Sequence, residues 1–168
     1  MERDSVDRHV ERWLPELPDL DPRAEGIVTR MQFIVRHLRR NKERVLKERG
    51  LQMGEWEILH ALHTQRGLGE PYRAAPTALA DAVGVPPTTM TSRLDRLEGR
   101  GFVVRTHDPA DRRRLLVELT DAGHAAWQSA MAGLDRGEKE LLATLHPDEQ
   151  DRLAELLRPL MRHVDART

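Results

Sequence analysis

Cysteine is absent from this chain of 168 residues. That excludes disulfide scaffolds, thiolate zinc sites, Fe–S clusters and thiol redox switches. No stretch approaches the length of uncharged apolar residues that a transmembrane helix needs, so no membrane partner is expected. The opening Met1-Glu2-Arg3-Asp4 is acidic and mixed, unlike a signal peptide, and the expectation is a soluble cytoplasmic protein. Walker A, GxGxxG, HExxH and GxSxG patterns are missing. No residue set joins a nucleophile to a base, so neither an enzyme nor a cofactor is expected. Lysine is scarce: of 27 bases, 24 are Arg and 3 are Lys. Arg forks suit phosphate and base edges better than Lys does, although an Arg-rich codon preference would give the same ratio.

Charge is plentiful, at 33% of residues, yet 27 bases against 28 acids leave a net charge of −1. The balance hides local asymmetry. Residues 1–26 hold 8 acids and 4 bases, residues 27–50 hold 8 bases and 2 acids, residues 88–114 hold 7 Arg and 4 acids, and residues 133–157 hold 7 acids and 3 bases. The acidic end segments read as solvated faces. The basic segment at 88–114 coincides with a motif.

High charge with regular Leu spacing predicts a mainly α protein. A short helix is expected over 6–14, ended by Pro15. A linker, Leu17-Pro18-Asp19-Leu20, leads to a helix capped by Asp21 with Pro22 in its first turn. Ile27, Met31, Ile34 and Leu38 give that helix its apolar stripe, and Gly50 stops it. A second helix is read over 53–64 and a loop over 67–72. Pro76 opens a short helix to Val83, Gly84-Val85 turn, and Pro86 or Pro87 opens another helix to about Arg100 with Met90, Leu94 and Leu97 inward. Two short strands follow, over 102–105 and 115–119, joined by a polar tip that carries Arg112, Arg113 and Arg114. Helix resumes after Thr120, and a last helix begins at Pro147, where Pro159 should kink or end it.

Helix, tight turn, helix and hairpin make a winged helix-turn-helix. Ala80 supplies the small residue at the helix contact, Gly84 the reversal and Met90 the apolar anchor. The second helix would enter the major groove. Its outward residues Pro87, Thr88, Thr89, Thr91, Ser92 and Arg96 are the candidate DNA contacts, short hydroxyls permitting close approach and Arg96 reaching a phosphate or guanine edge. The hairpin Arg112 and Arg113 suit a narrow minor groove. The chain is expected to divide into N-terminal helices at 1–50, the DNA-binding region at 51–120 and C-terminal helices at 121–168.

The run Met90-Thr91-Ser92-Arg93-Leu94-Asp95-Arg96-Leu97-Glu98, then Gly101-Phe102-Val103, Asp108-Pro109-Ala110-Asp111-Arg112-Arg113 and Leu119-Thr120-Asp121-Ala122-Gly123, resembles the MarR family of bacterial transcription regulators. The resemblance covers essentially the whole chain. It implies a homodimer built from the N- and C-terminal helices, acting as a ligand-responsive repressor on double-stranded DNA with a pseudo-palindromic operator. It also implies that Arg113 enters the minor groove while Asp111 holds the wing in shape. Val10-Glu11-Arg12-Trp13, Glu55-Trp56-Glu57-Ile58-Leu59 and Pro71-Tyr72 resemble the urate-responsive branch of that family. That likeness makes Trp13, Glu57 and Arg93 candidate ligand residues for a small aromatic or purine-like anion. Glu57 stands where the branch has Asp, one methylene longer. For Arg93 the residues alone also allow a phosphate contact or an ion pair with Glu57.

Two rival readings remain at this point. Glu57, His60 and His63 at i, i+3 and i+6 would suggest a metal-responsive regulator. Each step advances 300°, so the three drift around the helix, and no metal is expected. The other rival is a helical interaction module without DNA, which the Arg-rich hairpin argues against.

Overall fold

The computed structural model describes residues 3–64 and 73–167. The loop expected at 67–72, with Pro71 and Tyr72, lies outside them. The chain divides into two compact units between Met53 and Gly54.

The first unit is a helix pair, α1 (Ser5–Trp13) and α2 (Pro22–Glu48). Asp4 caps α1 by accepting the amides of Val6 and Asp7, and the Asp7 carboxylate accepts the Asp4 amide in return. Asp21 caps α2, with Pro22 in its first turn. Arg30 of α2 then grips the α1 cap from the side. Its guanidinium donates to Asp4 Oδ2 at 2.9 Å and to Asp7 Oδ1 at 2.6 Å. Arg30 holds the Asp4 carboxyl below its ordinary value, and the Asp4 amide, helped by Arg30, does the same to Asp7. The N-terminal cap of one helix is thus tied to the body of the next.

The second unit holds α3 (Met53–Thr64), β1 (Arg73–Ala74), α4 (Pro76–Val83), α5 (Pro87–Gly99), β2 (Val103–His107), β3 (Leu115–Leu119), α6 (Asp121–Leu142) and α7 (Pro147–Asp165). Prolines at the first position open α4, α5 and α7, where a missing N–H costs nothing. The chain reverses after α4 at Gly84, with φ +67°. The wing is a three-stranded antiparallel sheet in the order β1-β3-β2, with Val104 opposite Glu118 and His107 opposite Leu115. The hairpin is therefore one strand larger than the sequence suggests, because Arg73 and Ala74 add to the free edge of β3. The first wing strand also starts one residue later than expected and runs further, to His107. Ile58, Leu59, Leu62, Leu79, Met90, Leu94, Leu97, Val103 and Val117 are fully buried. This core draws one face each from α3, α4, α5 and the sheet.

The wing is joined to α6 by a close backbone approach. Thr120 caps α6 by accepting the Gly123 amide, and its hydroxyl lies 2.7 Å from the Gly101 carbonyl oxygen. A Cβ on Gly123 would lie 2.0 Å from the Phe102 carbonyl oxygen. The Leu-Thr-x-x-Gly pattern is thus the signature of a helix start pressed against the base of β2.

In α7, Pro159 neither ends nor breaks the helix, which continues to Asp165. The carbonyl left without a helical donor is that of Glu155, on an exposed helix, so water can satisfy it. No residue of α7 is buried, although Leu153, Leu156, Leu157, Leu160, Met161 and Val164 share its apolar stripe.

The Gly123 contact yields a direct expectation. Gly123→Ala should lower stability by about 2 kcal/mol or more, because the obstacle is backbone. Urea unfolding at constant m-value checks this, and an unchanged midpoint would contradict the close approach.

Candidate nucleic-acid interface

Successive residues of α5 advance by about 100°. Met90, Leu94 and Leu97 occupy the buried side. Thr88, Ser92 and Gly99 lie opposite, exposed and small. The helix therefore presents a low strip to solvent, shaped for close approach to another surface. Its N-terminus carries no side-chain cap, so first-turn N–H groups, with the positive end of the helix dipole, face outward.

Ion pairs bracket this strip on both flanks. On one flank stand Arg93, Arg96 and Arg100, at i, i+3 and i+7, facing two acids of α3. Arg93 Nη1 lies 3.3 Å from Glu57 Oε2. Arg100 Nη1 lies 3.1 Å from Glu55 Oε2, and Arg96 Nε lies 3.6 Å from Glu55 Oε1. Gly54 makes room for this arrangement, since a Cβ there would lie 2.3 Å from the Arg93 guanidinium carbon. On the other flank, Arg105 of β2 reaches Asp95 Oδ1 at 2.7 Å and Glu98 Oε2 at 2.8 Å. The Arg105 amide also donates to Glu98 Oε1. This clamp joins wing to helix and neutralises Asp95, an exposed acid that would otherwise repel phosphate.

The wing tip is ordered by its aspartates. Asp108 accepts the Ala110 amide, Asp111 accepts the Arg113 amide at 3.0 Å, and the Asp108 amide donates to the Arg114 carbonyl. Arg114 lies 4.0 Å from Asp108. Among the described residues, Arg112 and Arg113 have no ion-pair partner, and both are exposed.

The candidate contacts therefore lie as follows. Pro87, Thr88, Thr91, Ser92 and Arg96 are exposed on α5, and Thr89 is half-buried. The hydroxyls of Thr91 and Ser92 donate to the carbonyls of Pro87 and Thr89, which leaves their lone pairs for donors outside. Arg96 is not wholly outward, being turned toward Glu55. Of the ligand candidates, the structure brings Glu57 and Arg93 together. Trp13 is 44% exposed in the first unit, edge-on to His9 at 6.1 Å. It lines a cavity of about 280 Å³ with His9, Leu17, Leu20 and Glu25.

The metal alternative fares differently. Glu57 pairs with Arg93. His60 stacks on Trp56 and accepts from Trp127 Nε1, and His63 lies 2.9 Å from His124 Nδ1. Glu57 is thus drawn to Arg93 while His60 and His63 share Trp127, which stacks on His63, and among the described residues no group of three His, Cys, Asp or Glu is placed to hold a metal ion.

Sequence reasoning missed Glu55, Arg100 and Arg105. Glu55 had a signal, because it shares the i, i+3, i+4, i+7 stripe with Ile58, Leu59 and Leu62 and so had to be buried and partnered. Arg105 had none, since strand alternation does not say which acid a basic residue meets.

Comparisons with known proteins agree with this geometry. The MarR family profile matches residues 51–115. The HTH-type transcriptional regulator PecS of Dickeya dadantii is 30% identical over 155 residues, covering 92% of each chain. The transcriptional repressor MprA of Escherichia coli is 28% identical over 145 residues, covering 86% of this chain and 80% of that protein. Among solved structures, YusO from Bacillus subtilis superposes with a TM-score of 0.72 at 22% identity, covering 83% of this chain and 94% of that one. A mutant of S. aureus MepR bound to an oligodeoxyribonucleotide gives 0.63 at 18% identity, covering 82% and 97%. A small-faced recognition helix, an Asp-ordered basic wing and a relative matched along nearly its whole length lead to one assignment: this chain belongs to the MarR family of winged helix-turn-helix transcriptional regulators.

Proposed function

We propose that the chain represses transcription as a cytoplasmic homodimer on pseudo-palindromic double-stranded DNA, with half-sites about 10 base pairs apart. The observation that carries this reading is the small exposed strip of α5 beside a wing tip whose Arg112 and Arg113 have no ion-pair partner among the described residues. Thr88, Ser92 and their neighbours read the major groove, while Arg112 and Arg113 lie in the minor groove. The naming of MprA as a repressor and the oligodeoxyribonucleotide in the MepR structure support the direction and the partner.

Dimerisation rests on uncovered apolar surface. In α7 six large apolar side chains are exposed, Leu156 at 55%. In α2, Ile27, Val28, Met31, Ile34 and Val35 are exposed as well. Stripes of this kind on long helices call for a partner helix. Light scattering should therefore give a dimer. Leu156→Asp combined with Leu160→Asp should give a monomer with at least about tenfold weaker DNA binding, since half-sites are then engaged singly.

The effector is read as a small planar anion. Arg93 is the charge that would attract it, because its pairing with Glu57 is single and half-buried. Trp13, in the first unit, is an exposed aromatic residue and is the other candidate that the resemblance to the urate-responsive branch suggests. Adding urate, other purines or phenolic acids to the protein–DNA complex should release DNA with at least one of them, and Arg93→Gln should abolish that release. Release by none would remove the effector from this reading.

The DNA mechanism has its own test. Arg112→Ala with Arg113→Ala should weaken binding to the intergenic duplex beside the protein's own gene by at least about tenfold. The slope of log K against log salt should fall in magnitude by about 1 to 2. Unchanged affinity and slope in a gel shift series would refute the wing contact.

A further inference from the structure

Glu55 is 3% exposed, yet two arginines of the recognition helix converge on it. They are not equivalent. Arg100 makes the shorter contact, a hydrogen bond at 3.1 Å, and its guanidinium also sits 4.5 Å above the Phe102 ring. Arg96 makes the longer contact at 3.6 Å with a side chain that is 50% exposed, and among the described residues it has no other acid partner. Arg100 is thus built into the protein, whereas Arg96 leans in from the rim of the solvent-facing strip. Glu55 stays compensated by Arg100 if Arg96 leaves, and a buried carboxylate tolerates such a departure only when a second cation remains.

We propose that Glu55 and Arg100 are positioning residues that control how readily Arg96 reaches DNA. Without DNA, Glu55 holds Arg96 against α3. On the operator, Arg96 swings to a phosphate or base edge while Arg100 stays on Glu55. Every DNA contact by Arg96 therefore carries the cost of leaving Glu55. That cost is the same at every site, so a site that returns less than this leaves Arg96 on Glu55 and loses the contact. This inference rests on the proposed DNA-facing role of α5.

Charge-only substitutions test it on the same intergenic duplex. Glu55→Gln keeps the shape and removes the hold, so affinity should rise about two- to fivefold. Arg96→Gln should weaken binding and reduce the magnitude of the salt slope by about 0.9. The double variant should bind like Arg96→Gln alone, because the gain passes through Arg96. Arg100→Gln should act in the opposite sense to Glu55→Gln. It removes the nearer cation, so Glu55 pulls harder on Arg96; affinity should fall and the salt slope should shrink, with both restored by adding Glu55→Gln. General loosening of the helix cannot produce opposite signs at two partners of one contact, nor that rescue.

The proposal is overturned if Glu55→Gln binds no better than the parent while unfolding at a similar temperature. It is equally overturned if the gain survives without Arg96. Should Glu55→Gln fail to fold, the Arg100→Gln variant decides, and parental affinity and slope there refute the idea. Failure of the underlying DNA reading looks different: the parent protein, or the Arg112 and Arg113 variant, would then show no wing-dependent binding at all.

Discussion

The orientation of α5 depends on opposite charges meeting along both of its flanks. Apolar packing seats the buried stripe of Met90, Leu94 and Leu97. Ion pairs on both sides add a second constraint on rotation. Arg93, Arg96 and Arg100 tie one flank to α3, and Arg105 ties the other to the wing. Roll in either direction stretches one set. The surface pairs Arg39–Glu43 and Arg44–Glu48 on α2 are exposed and local, worth at most about 1 kcal/mol each, and orient nothing beyond their own helix. What separates the α5 pairs is that they cross between elements and that one of their acids is buried.

The same arrangement explains how a chain of net charge −1 can present a face to a polyanion. Acid and base are sorted by position more than by number. On α5 the acids Asp95 and Glu98 are covered by Arg105, and Glu55 lies beneath the surface. At the wing tip the aspartates spend their oxygens on backbone amides. The cations left outward, Arg112 and Arg113, therefore act with little local opposition. The balancing acids sit elsewhere, in the segments at 1–26 and 133–157.

Much of this was legible in the sequence, because its punctuation is strong. Prolines at 22, 76, 87 and 147 mark helix starts, glycines at 50, 84 and 101 mark reversals, and α3 and α4 fall where periodicity puts them. Strand β1 was not legible, since two residues have no period and their pairing with β3 is a tertiary event. Pro159 does not end α7, because the carbonyl it leaves without a donor is on an exposed helix where water reaches it. The side chains of the site were the least legible. Arg96 reads as purely outward from helical geometry alone, and only the position of Glu55 in three dimensions turns it. Glu55 itself was hidden by the habit of assigning charge to the surface.

The junction at Thr120 and Gly123 has mechanical meaning. Helix α6 starts where the wing strands end, with no slack between them, and its 22 residues make a rod about 33 Å long. Such a rod is a pointer. A rotation of about 5° at the wing base displaces its far end by about 3 Å. A turn of the wing base that carries the helix start with it is thus magnified along α6 into a larger displacement at its opposite end.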